Sequence, residues 1–597
     1  MTRSNTAVSG HNPAWAAVWH HSVAFGSFLV ASFIVNGYRF GVSDHAVHLP
    51  FLLRTLDPSY LVGDPAVDAL AYHPTLFWDL QAPLISWISI ENLYVAIHVT
   101  SLATLYAGVR ALGRALFPGD QGSWAVAITP ALVVINHWTL AGIMSMDAQV
   151  LNRTVSLGPL LYALALGARG AHLRGFAVAG LTFWVHPTTA LHAVVLLWCV
   201  VWVPRVSHRR VRAAILGPIV FLIAASPLIV KMVSHHSTAG VPFPGPPEWW
   251  DFVRLTMYFH IYPFDNPWVV GRFAVLYGLV FLVVGRHFIP STARAYLLGI
   301  AVCCAAGFLG TGLLRIPQVV FLHLWESIRF LVFIAAACCA AWVVSNWHGA
   351  RDRRTRVASV LFVLAFAIDL PFVMGSAQHS FLVYEVFTVS SLVVCSVLAY
   401  VARNPGPAPH TRPPPWWLGS GLVAAAVLLR LVVGSLTSSH PGVIQHRFAD
   451  GPEDVALEVW CREHLPADAL VMLPLEWGTF ISFRYGARRA VFVTLKDGPE
   501  SVFDLDYNQT YRRRVEAACD CNPFDLTHYG DQVGWARQSM ESDLIRHGVE
   551  RLTGARARRL FRDFGVTHIV AAASQPLTDL GEIVYRDPRY AVVRITP

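Results

Sequence analysis

Asp44 stands in the string GVSDHAVHLPFLLR (41–54), directly after the first apolar stretch of the chain. A carboxylate in that position suits a general base or a cation ligand. It equally suits a helix cap, since Ser43 or Asp44 precedes a run that reads as a short helix from His45. His45 and His48 lie one helical turn apart beside it and offer a second pair of metal-capable nitrogens. Asp147 follows in MSMDAQVLNR (144–153), with Arg153 six residues on. Arg153, Arg254 and Arg329 are candidates for holding a phosphate, because the planar guanidinium matches phosphate oxygens bidentately. His186 and His260 complete the list as supporting residues. The chain has no Walker loop, no GxGxxG opening a helix after a strand and no GxSxG, so nucleotide hydrolysis and serine-hydrolase chemistry find no support.

The elements that must position these residues are mostly apolar. Of 597 residues, 55% are hydrophobic and only 14% are charged, against about 25% charged in an ordinary soluble domain. The charge is sparse and clustered up to residue 437 and dense afterwards. That asymmetry predicts a polytopic α-helical membrane domain over 1–437 and a soluble domain over 438–597. Apolar runs of about 20 residues predict about 13 transmembrane helices, from 17–36 to 416–437, with one at 381–402. The segment 175–204 reads as a tight hairpin turning at His186-Pro187, with a single long tilted helix as the alternative.

Arginine clusters at 110–114, 169–174, 205–212, 286–294, 351–356 and 403–412 alternate with arginine-poor loops. The positive-inside bias then predicts a multi-pass protein of the inner (plasma) membrane, with its N-terminus cytoplasmic and its C-terminal domain extracytoplasmic. Two long outer loops result, 37–90 and 233–266. Each holds an amphipathic segment (45–56 and 248–262) that is expected to lie at the membrane interface. The net charge of +8 is explained by these loop arginines, so nucleic acid is not expected as a partner. Only Lys231 and Lys496 are lysines. Asp369 and Glu385 are acids inside or beside predicted spans, a position that defaults to function.

In 438–597, VALEVWCREHL (455–465) and RARRLFRDFG (556–565) read as helices. ALVMLP (469–474), RAVFVTL (489–495), THIVAAA (567–573) and YAVVRI (590–595) read as strands, giving a small α/β domain. Outside the cell, Cys461 would have the option of a disulfide with Cys519 or Cys521.

The layout resembles the GT-C superfamily of polyprenyl-phosphate-dependent membrane glycosyltransferases. The strings that carry it are SDHAVHLPFLLRTLDPSYLVGDP (43–65), FWVHPTTAL (183–191) and LHLWESIRF (322–330). They look like a bacterial branch, distantly similar to oligosaccharyltransferase catalytic subunits. The resemblance implies transfer of a sugar from a polyprenyl-phosphate-linked donor, amid membrane lipids, to an extracytoplasmic acceptor: a cell-envelope glycan, lipid or protein. It implies Asp44 as base or metal ligand with Asp147 assisting, and Arg329, Arg153 and Arg254 on the donor phosphate. A divalent cation, Mg or Mn, would sit at Asp44. The DxD pair of oligosaccharyltransferases is MDAQ here, without its second acid, which leaves the metal open. The alternatives are a non-enzymatic lipid or polysaccharide transporter, or an envelope scaffold.

Overall fold

In the computed structural model, residues 13–117, 119–135, 137, 139–202, 208–234, 240–265, 267–285, 288–349, 353–367, 397, 417–436, 444–445, 452–475, 480–530, 532, 535–577 and 579–596 are described. The predicted span 381–402 (apart from residue 397), Asp369 and Glu385 lie outside them. Among the described residues, four helical stretches are long and apolar enough to cross a membrane: Ile90–Leu116, Arg210–Ser234, Ser291–Leu313 and Pro317–Trp347. His21–Val35, Gly122–Val133 and Pro187–Trp202 are apolar but shorter. Residues 175–202 fall in two helices, His172–Phe183 and Pro187–Trp202, which pack on each other with the break at Trp184–His186.

Two helices set the scaffold beneath the candidate residues. Ile90–Leu116 and Asn152–Ala168 meet through glycines: a Cβ built on Gly158 would lie 2.4 Å from the carbonyl carbon of Thr104, and one on Gly108 would lie 2.4 Å from Gly158 O. Only glycine allows backbones to approach so closely. This contact fixes the helix whose first turn carries Arg153. The helix Arg329–Gly349 runs through the middle, buried from Phe330 to Val344 by small residues such as Ala335, Ala336, Ala340 and Ala341. Arg329 stands at its N-terminal end, where the helix dipole disfavours a cation.

The C-terminal part is α/β. Strands β3 (Leu470–Met472), β4 (Ala490–Val491), β5 (His568–Ala572), β6 (Glu582–Arg586) and β7 (Tyr590–Arg594) form a mixed sheet in the order β4-β3-β5-β7-β6. β3 is parallel to β4 and β5, while β7 is antiparallel to β5 and β6. The strands alternate between two cores, as side chains of period two must. Val471, Val570 and Val592 face one cluster with Leu457 and Cys461. Met472, Ile569, Ala591 and Val593 face another. Helix Gly554–Phe564 ends at Gly565 in the left-handed conformation, the usual stop.

That second cluster ties the C-terminal part to the loops. It runs without a break from the sheet into the long loops, taking in Tyr38, Leu49, Phe51, Trp78, Trp249 and Phe252. The two amphipathic loop segments pack apolar residues into this shared cluster. In helix His45–Leu56 the residues His45 to Val47 and Leu49 to Leu52 are buried. In helix Pro247–Thr256, Trp249 Nε1 donates to Val502 O at 3.2 Å, and Phe252 meets Tyr511 and Phe524 edge-on. Chain crossing adds to the seam: strand β1 (Tyr38–Arg39) pairs in parallel with β2 (Ile444–Gln445). Cys461 lies in the far core and is a free thiol, as are Cys519 and Cys521, whose sulfurs are 3.1 Å apart. The disulfide option for Cys461 therefore closes.

Candidate functional site

A cavity of about 1780 Å³ lies between the helix ends, the loops 37–90 and 233–266, and the C-terminal domain. Asp44, His48, Asp147, Arg153, His186 and His260 line it, as do Lys231, His323, Glu326, Lys496 and Glu500. The loops predicted to share one side of the membrane thus converge on one space.

Its central feature is a chain of alternating charges. Lys496 Nζ is 2.5 Å from Asp44 Oδ1, and Arg153 Nη2 is 3.2 Å from Asp44 Oδ2. Arg153 Nε is 3.6 Å from Asp147 Oδ2, which also accepts from Arg329 Nη2 at 3.0 Å and Thr154 Oγ1 at 2.7 Å. Asp44 occupies the cap position of helix His45–Leu56, yet its side chain makes no capping hydrogen bond. The carboxylate is turned to the cations instead. Burial alone would raise its pKa, but Lys496, Arg153 and His48 together hold it well below the usual carboxylate range.

Three expected site residues sit elsewhere. Arg329 is only 2% exposed and does not line the cavity. Its guanidinium donates to Asp147 and to the carbonyls of Ser145 and Arg153, so it braces the wall from behind. The Asp147 carboxylate in turn compensates a cation at a helix N-terminus. Arg254 also misses the cavity; Asp265 engages it through both Nε and Nη2. His45 is buried, with Nδ1 accepting from Gly41 N at 2.9 Å and Nε2 against Val150 O at 3.0 Å. Those bonds fix the tautomer and leave no nitrogen for a metal. Burial pushes its pKa down to about 4, against the smaller opposing pulls of the Val150 carbonyl and Asp44.

His48 faces the cavity, and burial pushes it down to about 4. His186 reaches about 3 for the same reason and is tied to Thr189 Oγ1 at 2.6 Å, so it organises the turn before Pro187–Trp202. Nearby, His73 Nε2 is 2.7 Å from Glu500 Oε2. Burial would raise Glu500, but His73 holds it below its ordinary value.

The Mg or Mn ion expected at Asp44 does not fit these surroundings. Each Asp44 oxygen faces a cation, and Asp147 Oδ2 already accepts hydrogen bonds from Arg329 and Thr154 with Arg153 Nε 3.6 Å away. A divalent ion there would meet positive charge on both sides.

Lys496 is the residue that sequence reading passed over. One signal for it existed: the chain has 45 Lys and Arg residues, and both of its lysines line this cavity. Lys231 pairs with Asp79 at 2.6 Å. Lys496 is positioned by a buried network next to it. Arg484 donates to Asp64 at 2.8 Å and to both oxygens of Asp497 at 2.8 and 2.9 Å, while Asp64 also accepts from Val491 N at 3.0 Å. Asp64 belongs to the first loop and Arg484 to the C-terminal domain.

A family model described as a domain of unknown function (DUF6798) matches residues 453–518, the stretch that contributes Lys496, Arg484 and Glu500. No curated protein matches the chain. Among solved structures, the chain is similar to ArnT from Cupriavidus metallidurans bound to undecaprenyl phosphate, at 12% identity, a TM-score of 0.36 and 98% coverage of both chains. The same protein in the apo state matches at 11% identity and a TM-score of 0.35, again over 98% of each chain. Similarity at that level leaves the site's own geometry as the basis for a functional reading.

Proposed function

We propose that this chain is a membrane glycosyltransferase of the GT-C kind, which takes a sugar from a polyprenyl-phosphate-linked donor and transfers it to an acceptor outside the inner membrane. The observation that carries this reading is the contact of one carboxylate, Asp44, with two cations, Lys496 and Arg153, on the wall of a large cavity. A leaving group that departs as a phosphate needs cations where its charge develops. An attacking hydroxyl needs a carboxylate within reach to take its proton.

In the resting state Lys496, Arg153 and His48 lower the basicity of the Asp44 carboxylate. A donor phosphate competes for Lys496 and Arg153. As they turn to it, two of the groups that depress Asp44 are shared, and its basicity rises. The acceptor oxygen then attacks the anomeric carbon, its proton passes to Asp44, and the bond to the phosphate breaks with both electrons staying on the polyprenyl phosphate. Asp147 and Arg329 keep Arg153 in place. The arginine clusters favour a cytoplasmic N-terminus and an outward cavity.

The test is transfer in reconstituted vesicles with a polyprenyl-phosphate sugar. Asp44→Asn is expected to lower transfer by about 10²-fold or more while the protein still binds the donor lipid. Unimpaired transfer in that variant removes Asp44 from the chemistry. Movement of lipid by the wild-type protein without a new glycosidic bond identifies a transporter instead.

A further inference from the structure

A second constellation in the cavity carries different chemistry. His260, His323 and Glu326 each offer one ligand atom, and these three atoms lie within 4.8 Å of one another. His323 Nδ1 is 3.0 Å and His260 Nδ1 3.6 Å from Glu326 Oε1. Glu326 is 8% exposed, whereas the two imidazoles are open to the cavity. Nδ1 of His260 is buried and makes no hydrogen bond among the described residues.

The surroundings hold the set in shape. His323 has φ 45° and ψ 45°, a left-handed conformation uncommon for residues other than glycine, though less so for histidine, and one that clusters at ligand sites. His192 Nε2 lies 2.9 Å from Leu322 O and anchors the preceding peptide. Phe503 of the C-terminal domain stacks on the His323 ring, with centroids 6.2 Å apart and planes 13° apart.

We infer that His260, His323 and Glu326 form a binding site for a divalent transition-metal ion of the zinc class, with its remaining coordination open to the cavity. Two imidazole nitrogens and one carboxylate oxygen suit Zn, Co, Mn or Fe. Magnesium and calcium prefer oxygen-only shells. Three protein ligands with an open position are what a reactive zinc site keeps and a structural one closes. An ion there adds positive charge to the wall that bears Arg153 and suits an oxyanion such as a phosphate oxygen. That last role rests on the glycosyltransferase reading; the metal site does not.

The experiment uses the full-length protein in detergent, stripped with chelator and dialysed against Zn²⁺ or Co²⁺ alone. About one ion per chain is expected, with a visible Co²⁺ spectrum of mixed nitrogen and oxygen ligation and a rise in thermal stability with metal concentration. Glu326→Gln and His260→Ala are expected to weaken binding by at least about 10-fold, while His48→Gln leaves it unchanged. Wild-type protein that takes up no stoichiometric Zn²⁺ or Co²⁺ overturns the site, as does unchanged affinity in folded Glu326→Gln. If the variants fail to fold, the wild-type Co²⁺ spectrum decides, since the absence of imidazole ligation overturns the site as well. Metal uptake without sugar transfer separates failure of the functional reading from failure of this one.

Discussion

Lys496 Nζ approaches Asp44 Oδ1 to 2.5 Å across the seam between the C-terminal domain and the first loop. Neither side chain is more than a quarter exposed. The contact joins the residue most visible in the sequence to one that sequence reading passed over, and it fixes what each can do.

Lys496→Met removes the point charge that would meet the phosphate. Transfer is expected to fall on the order of 10²-fold, as for loss of one preorganised donor. Lys496→Arg should recover part of it, because the charge returns with different reach. Initial rates in vesicles measure this; equal rates in all three proteins would count against Lys496 as a phosphate ligand.

The arginines should separate by position. Arg153→Ala leaves Asp44 and Asp147 facing one another without the cation between them and is expected to abolish transfer. Arg254→Ala breaks a peripheral pair with Asp265, a change worth at most about 1 kcal/mol for such contacts, and transfer should stay near wild type. Parallel assays and thermal melts of the two variants check the contrast.

The clamp between Asp64 and Arg484 is buried on both sides, at 0% and 5% side-chain exposure. Truncating one partner strands a charge, at about 3–5 kcal/mol. Arg484→Met is expected to lower thermal stability by that order and to open the seam to limited proteolysis between residues 438 and 597. A melt unchanged from wild type would mean the clamp contributes little.

Acid should destabilise the seam through its histidines. Burial keeps His45 and His48 neutral in the folded protein down to about pH 4, while unfolded imidazoles take up protons near about pH 6.5. Between those values the unfolded chain binds more protons, so stability falls as pH drops through that window. Melting temperatures from pH 7 to 4 should decline, and His48→Gln should flatten the decline. A pH-independent melt would overturn the assignment.

The sequence exposed some of this and hid the rest for physical reasons. Strand-forming runs such as YAVVRI and helix stops such as Gly565 were legible because they are local. β6, of which Ile583 is 38% exposed, lacked the apolar signal and was missed. Asp44 and Arg153 stood out by type and position. Lys496, His323 and Glu326 did not, because their meaning lies in contacts that the chain makes only after it turns back on itself. The partners of Arg329 and Arg254 were hidden for the same reason: an arginine in an outer loop reads as free to bind, and nothing local reveals the acid that pairs with it. The amphipathic runs 45–56 and 248–262 were legible as amphipathic, but their apolar faces meet protein rather than lipid.

The Asp64–Arg484 clamp also has a consequence for how the molecule is made. Asp64 leaves the ribosome early and Arg484 late, after every described apolar helix has been synthesised. Until then Asp64 lacks the arginine that meets it in the folded protein, and the cavity lacks the wall that carries Lys496 and Glu500. The cavity is thus assembled across the length of the chain, its first wall made well before its last.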